Sequence, residues 1–217
     1  MLSGFDMVST WRAGNPMAEA RRIGAFICIE GVDGCGKTTQ AKILVKNLRR
    51  RGFDAVYTTE PSGGKVGKLI RRFVLDRQRR VPATLEALLF AADRVDHVQE
   101  EVKPLLKWGK IVVCDRYVYS SLAYQGAAGL DLAWIDRINQ FALKPDLALF
   151  LDVAPERVIG RLKKKKSVME TMRNLREVRE VYLMLAQQQR LTTLDGNGSV
   201  EEISKSILRI VLEKLET

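Results

Sequence analysis

The 217-residue sequence is poor in the residues that metal and redox chemistry use, with one histidine and three cysteines. The cysteines are odd in number and none is spaced for zinc, which agrees with a reducing cytoplasm. No apolar run reaches the ~18 residues that a membrane span needs. The first 22 residues lack the continuous apolar stretch of a signal peptide, and the AFICIE that follows Arg21-Arg22 is too short to be one. Low-complexity tracts and internal repeats are also missing, so the chain reads as folded. With 46% apolar residues it can bury one full core, and one domain is expected.

Negative charge is the minority: 26 acidic residues face 36 lysines and arginines, a net +10. Such a surplus fits either nucleic acid or small phosphate-rich substrates. The basic residues fall mainly at Arg49 to Arg51, Arg71 to Arg80 and Arg161 to Lys166, without interleaved aromatics or a known nucleic-acid module. Charge alone does not decide, and solvated helix faces account for many such clusters.

Short apolar strands alternate with helical stretches. Strands are expected at Ala25–Glu30, Phe53–Thr59, Lys110–Cys114, Leu147–Val153 and Arg190–Asp195. Helices are expected at Lys37–Arg51, from Lys65 to about Asp76, at Ala83–Trp108 with a bend near Pro104, at Tyr119–Tyr124 and at Asp131–Ala142. Further helices are read from Pro155 into the lysine run, at Val168–Gln189 and at Val200–Leu215. That alternation predicts an α/β fold with a parallel sheet covered on both faces. Residues 1–22, broken by Gly14, Asn15 and Pro16, are expected to form a mobile extension, with Met17 as an alternative start.

The strongest motif follows the first strand. Gly31-Val32-Asp33-Gly34-Cys35-Gly36-Lys37-Thr38 fits G-x-x-x-x-G-K-[ST] at every fixed position. Glycines let backbone N–H groups turn around phosphate oxygens, and the helix N-terminus adds its dipole. Lys37 would reach the β- and γ-phosphates of a nucleoside triphosphate, and the Thr38 hydroxyl would ligate Mg²⁺. A chance match in a chain this long is roughly one in a hundred. An acid is expected at the end of a neighbouring strand. Asp115 and Asp152 both qualify, and Asp115 is favoured because Arg116, a phosphate-type ligand, follows it.

On a helical wheel for Ala83–Trp108, Leu85, Leu88, Ala92, Val95 and Val102 gather on one side, expected to be the core face. Phe90 falls opposite, among Glu86, Asp93, Arg94, His97 and Glu101. An aromatic and a guanidinium one turn apart are suited to a flat base, one stacking and the other bonding a carbonyl. His97 is expected on the helix surface, without a catalytic role. Cys28 and Cys114 are expected in the core, and Cys35 as loop filler.

These motifs resemble the thymidylate kinase family. The likeness spans about Phe26 to Leu212 and rests on FICIEGVDGCGKTTQ, Thr59-Glu60-Pro61, LLFAADR (Leu88 to Arg94) and Asp115-Arg116-Tyr117. It continues in Ser120-Ser121-Leu122-Ala123-Tyr124-Gln125-Gly126, Lys144-Pro145-Asp146, LFLDV, and Val178-Arg179 before Tyr182-Leu183. The Asp-Arg-Tyr and Ala-Tyr-Gln-Gly elements, in this order, mark the family, which the phosphate loop alone would not. The resemblance implies a P-loop NTPase fold with a five-stranded parallel sheet and the reaction ATP + dTMP giving ADP + dTDP, with Mg²⁺.

The resemblance also implies roles. Asp33 corresponds to the acid that holds the acceptor's 3′-hydroxyl. Phe90 corresponds to the base-stacking ring, Arg94 to the donor to thymine O4, Ser121 to a base-facing polar group and Tyr124 to the ring against deoxyribose. Arg116 and Arg71 match ligands of the acceptor phosphate. Glu60 and Gln125 are counted with the dTMP site, and Glu60 and Asp115 match acids near the metal. Gly31, Gly34, Cys35, Gly36, Lys37, Thr38 and Thr39 form the ATP site, joined by Arg161 at the start of the lid and by Asn197 beside adenine. Lys37, Asp33, Arg116 and Arg161 are the expected catalytic set.

Some features depart from the family. The lid, about 161–170, carries Lys163 to Lys166 instead of an arginine-rich run, and only Glu170 stands in for its acids. Gly34-Cys35 occupies the place where some members carry a phosphate-reaching arginine. Alternatives are a kinase for another nucleoside monophosphate, or a nucleic-acid-binding P-loop ATPase, for which the chain leaves little room. Small-molecule substrates, no membrane, no nucleic acid and a homodimer are the partner expectations.

Overall fold

The computed structural model describes residues 24–74, 81–162 and 172–216, with the side chains of 160–162, Met172 and Arg173 excepted. The expected N-terminal extension and the lysine run of the lid lie outside the described residues, as does the Arg161 side chain.

Five strands form one parallel sheet in the order β2-β3-β1-β4-β5. They are β1 (Ala25–Glu30), β2 (Ala55–Thr59), β3 (Ile111–Asp115), β4 (Leu147–Asp152) and β5 (Thr192–Asp195). The middle strand β1 and its neighbour β3 are buried along their whole length, because helices cover both faces of the sheet. β1, β3 and β4 are short, mainly apolar runs, and the expected strand positions hold to within one or two residues. The end of β1 is the exception to its apolar pattern: Glu30 is fully buried.

The helices are α1 (Lys37–Arg50), α2 (Lys65–Phe73), α3 (Ala83–His97), α4 (Lys103–Lys107), α5 (Val118–Ala127), α6 (Leu132–Ile138), α7 (Pro155–Leu162), α8 (Met172–Gln187) and α9 (Val200–Glu216). Two of the starts carry side-chain caps. The Asp131 carboxylate accepts the Ala133 N–H at the head of α6. Ser199 and Glu202 exchange bonds in a capping box before α9. Among the described residues no helix is long and apolar enough to cross a membrane.

Two expectations about the long helix are corrected. It does not run as one regular helix to Trp108, because a π turn at Val98–Val102 separates α3 from α4. The supposed core face is also the outer one: Leu85 is 45% exposed, Leu88 46% and Val95 39%, and Ala92 is exposed too. The polar side of α3 is the buried side, with Glu86, Asp93, Arg94 and His97 turned inward. The wheel finds an apolar stripe but cannot say what covers it. Val102 is buried, because the π turn adds a residue to the winding and rotates it onto the inward side.

Candidate active site

The phosphate loop leaves β1, the middle strand, at the C-terminal edge of the sheet, where open α/β folds bind ligands. Gly31 (φ +143°) and Gly36 (φ +105°) take backbone angles that other residues rarely adopt. A Cβ on Gly31 would lie 2.9 Å from the Leu151 carbonyl oxygen and 2.8 Å from Cys35 Sγ. Gly36 caps α1, whose first N–H groups point into the loop. Lys37 is buried; its Nζ donates to the Val32 carbonyl at 2.7 Å and lies 3.8 Å from Cys35 Sγ. Burial opposes its charge, but Cys35, Tyr124, Asp115 and Glu30 outweigh that and hold its pKa above the ordinary lysine value. Cys35 packs inside the loop, and Cys28 and Cys114 lie in the core as expected.

Both strand-end acids flank β1, on β3 and β4. Thr38 Oγ1 donates to Asp115 Oδ2 in a short bond, while Asp115 Oδ1 is buried without a partner. Asp152 is occupied: Arg179 clasps both its oxygens at 2.6 and 2.8 Å. Among the described residues no group of three histidine, cysteine or acidic side chains gathers to hold a metal. A cation at Thr38 and Asp115 would therefore draw most ligands from phosphate and water, as Mg²⁺ commonly does. The unpartnered Oδ1 fits that use.

Across the cleft, Arg116 takes a left-handed backbone angle (φ 73°) in the turn after β3. Glu30 holds this turn. Its carboxylate accepts the Tyr117 N–H at 2.8 Å, the Ser120 hydroxyl at 2.6 Å and the Tyr182 hydroxyl at 3.0 Å. Burial pushes the Glu30 carboxyl up against these bonds. The Arg116 side chain donates to Ser120 Oγ and to the Asp33 carboxylate, and lies 5.1 Å from the centre of the Tyr124 ring. The Asp33 N–H donates to the Tyr124 hydroxyl at 2.8 Å. Three expected site residues thus meet at the phosphate loop.

Arg94 is 1% exposed and clamped on several sides. Its Nε donates to Glu60 at 2.9 Å, its Nη2 to Ser121 Oγ at 3.1 Å and its Nη1 to Asn139 Oδ1. His97, expected on the surface, is 2% exposed. It bonds Thr58 Oγ1 at 2.7 Å and Glu60 Oε1 at 3.2 Å, because the face that carries it turns inward. Both Glu60 oxygens are thereby engaged by cationic or polar nitrogen. Phe90, one turn before Arg94, is half-buried. Gln125 donates to Glu86 at 2.9 Å, and its buried Oε1 has no partner. Arg71 donates to the Pro61 and Ser62 carbonyls at the rim. Thr39 and Gly34 are exposed at the loop mouth. Asn197 bonds Asp195 and accepts the Ala154 N–H, at the edge formed by β4 and β5.

Sequence reasoning missed Glu30, Asp93, Asn139 and the inward face of His97. Asp93 accepts the Ser62 N–H and hydroxyl at 2.7 and 2.6 Å, fixing the loop after Glu60. A charged residue ending an apolar strand was a legible signal for Glu30. Asn139 had none, since it reaches Arg94 across 45 positions.

The sequence model described as thymidylate kinase matches residues 29–207. A probable thymidylate kinase of Pyrococcus horikoshii is 42% identical over 200 residues, covering 88% of this chain and 98% of its own. One of Pyrococcus abyssi is 44% identical over the same shares. A thymidylate kinase of Caldanaerobacter subterraneus is 38% identical over 89% of this chain and 97% of its own.

Proposed function

Since the chain belongs to the thymidylate kinase family, we propose that it works as an ATP-dependent nucleoside monophosphate kinase on dTMP, giving dTDP and ADP. The observation that carries this reading is the pairing of Arg116 with Asp33. It ties the cation of the β3 turn to the phosphate loop, which supports a single cleft for donor and acceptor phosphates. A P-loop ATPase without a second nucleotide needs no such link.

The γ-phosphoryl passes from ATP to a phosphate oxygen of dTMP, and the chain's own work is positioning and charge stabilisation. Lys37 and the loop N–H groups hold the β- and γ-phosphates. Arg116, with Arg71 at the rim, holds the acceptor phosphate. Asp33 and Tyr124 orient the deoxyribose, Phe90 stacks on the base, and Arg94, Ser121 and Gln125 read its polar edge. Thr38 and Asp115 would hold Mg²⁺, which neutralises charge spreading over the phosphates. Glu60 is assigned to holding Arg94, not to the metal. Arg161, with the lysine run, is proposed as the lid cation and Asn197 as one wall of the adenine site, both on sequence grounds.

The three thiols are buried and none is joined in a disulfide, which supports a reducing, cytoplasmic setting. The chain pairs with a second copy through the outer face of α3, where Leu85, Leu88, Ala92 and Val95 repeat at three- and four-residue steps, as in a helix seam. Leu69 and Phe73 of the adjoining α2 are also exposed.

ADP release measured against all common nucleoside monophosphates tests the function. dTMP should be preferred, with deoxyuridylate and deoxycytidylate at least tenfold poorer in kcat/KM. Equal rates across the panel would refute the substrate assignment.

A further inference from the structure

A groove of about 630 Å³ lies between α1 and β2, away from the site described above. Its lining is Lys42, Val45, Lys46, Arg49, Arg50, Val56 and Tyr57. The four cations sit at i, i+4, i+7 and i+8 along α1 and therefore share one face. All four are exposed. No carboxylate lines the groove, and among the described residues no ion pair engages any of the four. A solvated helix face ordinarily intersperses both signs of charge; this one does not.

The groove is also more than a charged surface. Val45 and the Tyr57 ring give it an apolar floor beneath the cationic rim, while Val56, beside Tyr57 on the strand, turns its side chain to the other face of the sheet. Two of its members are held in place: Arg49 Nε donates to the Ala55 carbonyl at 2.7 Å, and Lys42 Nζ lies 5.5 Å from the centre of the Tyr57 ring. The span from Lys42 to Arg50 is about 12 Å at 1.5 Å per residue.

We propose that this groove is a second nucleotide site, taking a nucleoside triphosphate with its base against Val45 and the Tyr57 ring and its phosphates along Lys42, Lys46, Arg49 and Arg50. A flat apolar base joined to a short chain of negative charges matches both halves of the lining. The single aromatic and the short span favour a nucleotide over a polynucleotide, which needs successive stacking platforms. The site has a route to the catalytic centre. The Tyr57 hydroxyl reaches Asp115 Oδ2 at 3.4 Å, and Lys42 is one turn beyond Thr38 on the same helix. Occupancy would be felt at the acid and hydroxyl that face the reacting phosphates, which makes the groove a regulatory site.

The test begins by filling both catalytic sites with adenosine and thymidine joined through five phosphates, with saturation confirmed by calorimetry. dTTP and ATP are then titrated into this complex at physiological salt. One further nucleotide should bind per chain, and the combined K46E/R50E variant should weaken it at least tenfold. At ATP concentrations too low to fill the groove, that variant should keep the wild-type kcat/KM for dTMP, since neither residue belongs to the catalytic set. No binding beyond the filled sites would overturn the proposal. So would inorganic tripolyphosphate binding as tightly as dTTP, which would mean an anion patch without a base site. Displacement of the nucleotide by a 20-nucleotide single strand at lower concentration would overturn it too, in favour of a nucleic-acid surface.

Discussion

Arg94 Nη2 and Glu60 Oε2 lie 2.7 Å apart, and both side chains are only 2% exposed. Removing one partner of a buried pair leaves the other charge unsolvated, which typically costs about 3–5 kcal/mol. Arg94→Ala should therefore lose stability on that scale as well as thymine preference. Urea unfolding measures the first, and kcat/KM for dTMP against deoxycytidylate measures the second. The double variant R94A/E60Q should recover part of the stability without the preference, because a neutral amide replaces the stranded charge. A fully stable Arg94→Ala protein would show that solvent reaches Glu60 and that the pair is not closed.

Phe90 offers a cleaner probe of base binding, because it is only half-buried and carries no charge. Stacking on an aromatic ring is worth ~1–3 kcal/mol per base in single-stranded nucleic-acid binding. Phe90→Ala should raise the dTMP dissociation constant by about 5- to 150-fold on that scale, with the ATP constant unchanged. Direct titration of dTMP and of an ATP analogue separates the two. An unchanged dTMP constant would remove Phe90 from the base site.

The difference between Phe90 and Arg94 also shows what was legible in the sequence. The strands, the helix order and the phosphate loop could be read because each is a local pattern: an apolar run, an alternation of strand and helix, a glycine spacing. Their positions hold to within a residue or two at β1 and α1. The side of α3 that faces inward could not be read the same way. Its two faces differ in polarity, and burial normally follows the apolar one. Here Arg94, Asp93 and His97 are buried because Glu60, Ser62, Asn139 and Ser121 arrive from distant segments to satisfy them. That satisfaction is a tertiary fact with no local signature. The free apolar stripe at Leu85, Leu88 and Val95 is the other half of the same inversion.

Asp115 supports the metal prediction. Its Oδ1 is buried without a partner while Oδ2 accepts the Thr38 hydroxyl. Chelating divalent cations with EDTA should stop turnover, and added Mg²⁺ should restore it. Asp115→Asn should raise the Mg²⁺ concentration for half-maximal activity at least tenfold. Asp152→Asn should leave it within about twofold, because Arg179 already occupies that carboxylate. Equal shifts for the two variants would place the metal acid elsewhere.

The exposed seam on α3 has its own test. A second copy covering Leu85, Leu88 and Val95 would give a particle of about twice the 24.5 kDa chain in light scattering. Burying one leucine contributes roughly 1.5–3 kcal/mol, and a charge placed there would have to be desolvated. Leu88→Glu should therefore shift the protein to the monomer at micromolar concentration. A wild type that runs as a monomer, or a variant that stays dimeric, would exclude this face as the interface.

His97 carries the pH prediction. Burial opposes its protonation, but the hydrogen bond and charge of Glu60, followed by the charges of Glu101 and Asp93, outweigh burial and raise its pKa above the ordinary histidine value. The nearest ring contacts are Thr58 at 2.7 Å, Glu60 at 3.2 Å and Glu101 at 3.7 Å, and Arg94 shares Glu60 from the other side. A group whose native pKa is raised contributes its full stabilisation below its unfolded pKa, about 6.5 for histidine. Between 6.5 and the raised native value the folded protein keeps a proton that the unfolded chain has released, so stability falls as pH rises. Above the native value the contribution is gone. Unfolding free energies of wild type and His97→Gln should therefore differ most near pH 6 and converge toward pH 9, where a neutral imidazole and an amide offer Glu60 similar donors. Convergence toward low pH instead would mean that the native ring is held neutral and that burial, not Glu60, sets its titration.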